Sequence, residues 1–501
     1  MVVRGFVLVS RDSGGLDAGV SGVVRLWEEY GVGEVVFVVS RSFPVGRLER
    51  LEWWARRFVG SVGSVRVDTG VEGGGGLVGE LYRLFSRDCV DSVVLVSGGG
   101  RFLASAAALA GVRASMDCRV DVVHVHFYFG PWNGLVYPYT PLRLQPLVVL
   151  HPVLGPRPSP SSGAGRAPEL HFEGGGVYCR HPVWGERRLP PLRCAVAELA
   201  RRVNVHLRPG VVAGEVGGCG KLRVEVGGSS LGGADLCREG EVANLAGRLA
   251  RRVLVLEELG LGYPVRSALA WSGLAHLRGL LPDGSVRPLP ELVFERTMIV
   301  DTVLVYYGAH RYAWEGGRLM LPECAVREVH GRLAESIKRG KARSGEAIAD
   351  VLAYLALEDL LGAGVPVAPT PTGKCDTAIP KMDPVILEDK ILATADDGAH
   401  RYWLRHPSRR LAVPVKVFFD PEEAGRQEVD PERDPLSLSR LYYSLYQILL
   451  FYALLDSQCV EGAHPLRIYV DSGEGEVEVR PPTGLLLKAA GLEPGRCGKQ
   501  A

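Results

Sequence analysis

Short, valine-rich apolar runs alternate with longer amphipathic stretches over residues 1–155. Phe6–Ser10, Glu34–Val39, Ser64–Asp68, Ser92–Val96 and Val120–Phe127 have the length and residue types of strands. Between them Ala18–Tyr30, Arg47–Val59, Gly79–Asp88 and Phe102–Ala110 carry apolar residues at helical spacing. Strict strand–helix alternation predicts a mainly parallel sheet wrapped by helices. Ligands of such sheets sit beyond the carboxyl ends of the strands.

The pattern then changes. Residues 156–295 open on a Pro/Ser/Gly-rich stretch, Pro156–Pro168, and predict strands at Leu170–Tyr178 and Leu222–Val226 with a helix at Pro191–Val205. Asn244–Gly260 and Pro264–Leu281 read as connector helices. A second alternating unit fills 296–425. It has strands Met298–Val300, Val365–Ala368, Ile391–Ala395 and Val413–Phe419, and helices Thr302–His310, Cys324–Arg339 and Glu346–Leu361. Residues 426–501 hold an apolar, aromatic helix, Leu438–Leu455, expected in the core or on a dimer surface, and a hairpin, Leu466–Val470 with Glu476–Arg480, turning at Ser472-Gly473. The expected class is α/β: a Rossmann-like domain, a connector region, a second α/β domain and a C-terminal extension.

Composition adds exclusions. The chain has 501 residues, more than one ordinary core holds. A hydrophobic share of 47% and a charged share of 23% suit a globular protein. Apolar runs stay short of the roughly 20 residues a membrane span needs, and Phe6–Val9 is too short for a signal h-region. A cytoplasmic, non-membrane protein is expected. The net charge of +1 leaves nucleic-acid contact to local patches. Ten cysteines lie singly with no C-x-x-C, so neither a zinc site nor a disulfide framework is expected in a cytoplasmic chain.

Three predicted strand ends carry small hydroxyls beside arginine: Ser10-Arg11, Ser40-Arg41 and Ser97-Gly98-Gly99-Gly100-Arg101. Glycines let backbone N–H groups approach a phosphate, a helix N-terminus adds positive charge, and arginine adds a fork. The third loop lacks G-K-[ST] and the spacing of a dinucleotide fingerprint. A tight turn that needs glycine for geometry is the alternative.

Acids cluster at strand ends of the second unit. Asp301 ends Met298–Val300, Glu328 sits on the following helix, and Asp396 follows Ile391–Ala395. Asp301, Glu328 and Asp396 are candidate ligands for Mg²⁺ or Mn²⁺, hard cations that take oxygen and deliver an attacking water. The third acid is open among Asp376, Asp383 and Asp389. Pro380 and Pro384 interrupt the helix expected after Asp376, so Asp383 or Asp389 is expected to complete the catalytic set. Helix caps or solvated charges are the alternative for any one acid.

Two resemblances follow from these residues. Ser92–Leu109 (S-V-V-L-V-S-G-G-G-R-F-L-A-S-A-A-A-L) resembles the signature of CARF domains, the sensors of type III CRISPR ancillary proteins. That resemblance implies cyclic oligoadenylate, cyclic tetra- or hexa-adenylate, as activator, bound across a homodimer axis by Ser10, Arg11, Ser40, Gly98, Gly99, Gly100 and Arg101. Met298–Val305 is similar to the I-V-D-T-N-V-L opening of PIN-domain nucleases, with Val303 in the asparagine's place; Glu328 and Ile391–Asp396 match later blocks. Together they imply a cyclic-oligoadenylate-activated, metal-dependent endoribonuclease of antiviral defence. Alternatives are a ring nuclease that cuts its own activator in the sensor, and a non-enzymatic nucleic-acid-binding regulator. The R-x-x-x-x-H spacing of HEPN ribonucleases recurs at Arg401–His406. Alternatively, Arg401, Arg405, Arg409 and Arg410 with Tyr402 and Trp403 would grip RNA.

Overall fold

A computed structural model describes residues 2–493 apart from 12, 70–73, 128–129, 133, 156–170, 174–177, 181–187, 208–210, 213–218, 257–261, 339–344, 421–422, 426–428, 431–432, 459, 461–464 and 472–474. The Pro156–Pro168 stretch and the Ser472-Gly473 turn fall outside the described residues.

The N-terminal strands form where the valine runs predict them: β1 Val3–Val9, β2 Val32–Ser40, β3 Ser61–Val67, β4 Ser92–Leu95 and β5 Val120–Val125. Helices α1 Ser13–Tyr30, α2 Val45–Ala55, α3 Gly74–Phe85 and α4 Arg101–Ala114 connect them. The parallel order is β3-β2-β1-β4-β5, so the winding reverses between β1 and β4. Crevices at such a reversal hold ligands. Beyond β5 the sheet gains an antiparallel strand, β6 Leu147–His151, and then Val211–Val212. One face packs α3 and α4 through Phe6, Leu8, Val94, Leu81 and Ala107. The other face, with Val7, Val9 and Val23, opens into a core that runs through the rest of the chain.

The second unit repeats the winding. Its parallel strands run Val367–Ala368, Leu319–Pro322, Met298–Val300, Lys390–Thr394 and Ala412–Phe418 in spatial order. Here the reversal lies between Met298–Val300 and Lys390–Thr394. Arg278–Leu280 and Val286–Pro288 extend the sheet with antiparallel strands. The predicted Pro264–Leu281 helix ends at Ser272, and its tail enters this sheet. A small core of Ile299, Leu392, Cys324, Cys375 and Trp403 covers one face.

Sequence boundaries at 295/296 and 425/426 cut through sheets that the fold closes. Ser229–Asp235 and Lys221–Val226 share an antiparallel sheet with Leu466–Asp471 and Glu476–Val479. Pro435–Ser457 is apolar over most of its surface, as a largely enclosed helix is. Leu441, Tyr443, Tyr446, Leu449 and Phe451 are each 2% exposed or less. This helix packs on Pro191–Asn204, Glu239–Leu256, Gly262–Ser272 and Gly345–Gly362. Trp132, from the N-terminal unit, donates its indole N–H to the Ser439 carbonyl at 3.0 Å. Arg193, fully buried, donates to the Pro131 carbonyl at 2.7 Å and stacks 3.6 Å over Trp314. The two sheets are thereby tied through one interior.

The expectation of unpaired cysteines is corrected. Cys89–Cys118, Cys179–Cys194, Cys219–Cys237 and Cys324–Cys375 are disulfides, and no described cysteine is free. The expectation came from a compartment rule, whereas pairing follows from which cysteines the fold brings within bonding distance. No helix among the described residues is long and apolar enough to cross a membrane.

Candidate metal centre

Asp301 leaves the strand Met298–Val300 at the point of reversal and caps the helix Thr302–Tyr306. Its backbone N–H donates to Ala393 of the neighbouring strand at 3.1 Å. The carboxylate accepts from the Thr302 N–H at 2.7 Å and from the Thr394 hydroxyl at 2.7 Å. The cap expected as an alternative is therefore present, yet the residue is only 1% exposed. Burial, opposed by those two hydrogen bonds and reinforced by Asp376 and Glu328, pushes its pKa up to about 7.

Two threonines link the acids. Thr394 donates to Asp301 and accepts the Asp396 N–H at 3.0 Å. Thr302 donates to Glu328 at 2.8 Å. Glu328 also accepts the Cys375 N–H at 3.1 Å, which brings Asp376 to the cluster. Burial, then Asp396 and Glu328, raise the Asp376 pKa against the opposing pull of Lys374. Asp396 caps the helix Asp397–Arg405 and accepts the Ala399 N–H at 2.7 Å. Lys416 is engaged by Asp397, the next residue, at 2.8 Å.

Asp301, Glu328, Asp376 and Asp396 thus converge at one sheet edge. Asp383 and Asp389 do not join them. Asp383 caps the short helix Pro384–Leu387, accepting the Val385 N–H at 2.9 Å. Asp389 precedes the strand Lys390–Thr394 and so lies at its opposite end from Asp396, 3.4 Å from Arg296. Asp376 was masked in the sequence by Pro380. The helix Cys375–Ala378 is only four residues long, and Pro380 sits in the first turn of the next, 3-10 helix, where a missing N–H costs nothing. Thr394, the other unassigned participant, has its signal in the T-x-D spacing to Asp396.

Compared with models of known protein families, the chain matches none, and no curated protein matches its sequence. Its chemistry must be read from the site itself. Carboxylates with threonine hydroxyls are the donor set of Mg²⁺ or Mn²⁺. A cation beside a buried carboxylate that faces two others favours its charged form, so the residues fit such an ion. Ligand atoms of three residues all within 4.8 Å of one another occur, among the described residues, only at Cys219, Asp235 and Cys237. There the two sulfurs are bonded to each other and are not available to a metal. No three of the four acids bring their ligand atoms that close.

Trp403 does not offer its ring to a base. It is 0% exposed and donates to the Asp376 carbonyl at 2.7 Å. Arg401 and His406 lie on and just after the helix Asp397–Arg405 of this α/β unit, outside any helical bundle.

At the N-terminal reversal, Ser10 follows β1 and Ser97 lies just beyond β4. A Cβ on Gly98 would lie 2.1 Å from the Leu8 carbonyl oxygen, and one on Gly15 would lie 1.8 Å from Ser10 Oγ and 2.8 Å from the Gly98 carbonyl oxygen. The two loops are seated against each other, so Gly98 meets a packing demand whatever else it does. Gly100 has open space around it, and Arg101 is exposed at the start of α4. Ser97 Oγ accepts the Val125 N–H at 2.5 Å. Arg11 is exposed, its carbonyl accepting from Arg47 at 3.2 Å; Ser40 lies 3.2 Å from Ser42, hydroxyl to hydroxyl.

Proposed function

We propose that the second unit is a divalent-metal-dependent ribonuclease whose activity responds to a cyclic oligoadenylate held at the β1/β4 reversal of the first. The observation that carries the reading is Asp301, an acid buried at a sheet reversal, supported by two hydroxyl-bearing neighbours and faced by Glu328 and Asp376. Asp301, Glu328, Asp376 and Asp396 would hold the ion. Bound Mg²⁺ or Mn²⁺ would supply a water of lowered pKa and neutralise charge on the phosphate. Thr394 and Thr302 orient the carboxylates. Arg11, just before α1, and Arg101, at the start of α4, are both exposed and supply phosphate-binding character to the first unit. The interior shared through Arg193 and Pro435–Ser457 supports communication between them. A homodimer and a cytoplasmic location belong to the same proposal.

The test is cleavage of labelled RNA with Mn²⁺, with and without cyclic tetra- and hexa-adenylate. Activator-dependent cleavage lost in Asp301→Asn is expected. Equal cleavage by Asp301→Asn overturns the assignment.

A second reading has its own observation. His124 on β5 and His126 just past its end stand two apart, their rings 6.1 Å apart, on either side of the Val125 N–H bonded to Ser97. Burial lowers both pKa values, and His126 lowers that of His124 further, which favours neutral imidazoles able to take a proton from a ribose hydroxyl. Metal-free cutting of the cyclic activator is the corresponding activity. Linear product formed in EDTA supports it, and its absence removes it.

A further inference from the structure

Glu328 and Asp376 come from segments far apart in sequence, and a covalent bond joins those segments. Cys324 lies in the first turn of the helix Glu323–Lys338 and Cys375 opens the helix Cys375–Ala378; their Cα atoms are 5.4 Å apart. Glu328 is four residues after Cys324, on the same helical face. Asp376 is the residue after Cys375. The Cys375 N–H donates to Glu328 at 3.1 Å, and Cys324 N–H donates to Thr370 Oγ1 at 3.1 Å.

Ala378, Ile379 and Met382 bury the far side of the Asp376 segment in the small core, and its near side is held differently. A helix of four residues has no stability of its own, and Pro371, Thr372, Gly373 and Lys374 before it are exposed. Trp403 fixes the Asp376 carbonyl from one side. The disulfide fixes Cys375 from the other. Both cysteines are 1% exposed, in a core with Ala325, Ala378 and Trp403, so the bond is shielded from solvent.

We propose that the Cys324–Cys375 disulfide is a positioning element of the metal centre, a permanent clamp that holds Asp376 beside Glu328 so that both face one cation. The proposal rests on the metal-centre reading above. The clamp acts through its neighbours and is not itself a ligand. Without it, Asp376 swings with its loop, and the ion keeps Asp301, Asp396 and Glu328 but loses its fourth acid.

The experiment measures Mn²⁺ affinity by calorimetry, together with kcat and KM for RNA, in the full chain. The variants are Cys324→Ala/Cys375→Ala, Cys324→Ser/Cys375→Ser and, as a control, Cys179→Ala/Cys194→Ala, which removes a disulfide elsewhere. Circular dichroism monitors folding. The clamp predicts at least about tenfold weaker Mn²⁺ binding in a folded Cys324/Cys375 variant, a lower kcat with KM for RNA little changed, and wild-type affinity in the control. Unchanged Mn²⁺ affinity in that variant overturns the proposal alone. Equal weakening in the control, or failure of both Cys324/Cys375 variants to fold, also overturns it, in favour of a general structural role. A wild-type chain that takes up no Mn²⁺ overturns the metal reading and the clamp with it.

Discussion

The Thr394 hydroxyl donates to the Asp301 carboxylate at 2.7 Å, and the same oxygen accepts the Asp396 N–H at 3.0 Å. One small side chain therefore sets the spacing of two acids on adjacent strands. Thr394→Val keeps the shape and removes both bonds. Asp301 then loses a partner in a buried position, a cost of about 1–3 kcal/mol. Mn²⁺ affinity and RNA cleavage should each fall by about 10–100-fold, as for other groups that orient metal ligands. Calorimetric titration and a thermal melt check both.

Asp301 itself makes a pH prediction. Its folded pKa, about 7, stands above the ordinary 3.8 of an unfolded chain. The folded state thus holds the proton more tightly. The stability this contributes is complete below about pH 4 and is lost as pH rises through about 7, a loss on the order of 4 kcal/mol in the metal-free protein. Asp301→Asn cannot ionise. It should unfold at higher urea than wild type at pH 8, converge with it near pH 4, and be inactive throughout. Saturating Mn²⁺ should close the gap at pH 8 by stabilising wild type alone.

The choice of third acid is directly testable. Asp376→Asn should lose as much RNA cleavage as Glu328→Gln, at least about 10–100-fold. Asp383→Asn keeps a competent helix cap. Asp389→Asn occupies a left-handed position, φ 55°, which asparagine tolerates well. Both should cleave at the wild-type rate. Side-by-side rates on one labelled RNA decide it.

The first unit separates packing from binding in two neighbouring residues. Gly98→Ala places a methyl 2.1 Å from the Leu8 carbonyl oxygen and should destabilise the fold by about 1–3 kcal/mol. Arg101 is exposed, so Arg101→Ala should leave the melting temperature unchanged. It should weaken binding of labelled cyclic adenylate about 10–100-fold, the loss expected for a charged hydrogen bond, and flatten the salt dependence. Fluorescence anisotropy at two salt concentrations measures both effects.

Most elements were legible because local pattern determined them. Met298–Val300 is buried on both faces, which leaves an unbroken apolar run, and Asp301 stands out where that run stops. Asp396 could be placed for the same reason, where Ile391–Ala395 stops, whereas Glu328 lies inside a helix and was placed by the resemblance alone. Asp376 was obscured because a four-residue helix leaves no periodicity and Pro380 looked like an interruption. Arg278–Leu280, with a glycine at its centre, carries too little strand character to separate from the helix before it. The disulfides were hidden because pairing depends on tertiary proximity. The Pro435–Ser457 helix was visible as apolar, but only the fold shows that Pro191–Asn204, Glu239–Leu256, Gly262–Ser272 and Gly345–Gly362 pack on it.

That helix has a consequence for how the protein is made. The strands Leu466–Asp471 and Glu476–Val479 complete a sheet begun at Lys221–Val226, some two hundred residues earlier. During synthesis the first β-α winding can close early, since its contacts are local. The middle of the molecule must wait, its apolar faces uncovered, until nearly the whole chain has left the ribosome. Fragments cut near residues 296 and 425 would strip the second unit of strands and of its supporting helix, so the proposed activity should be lost in such fragments.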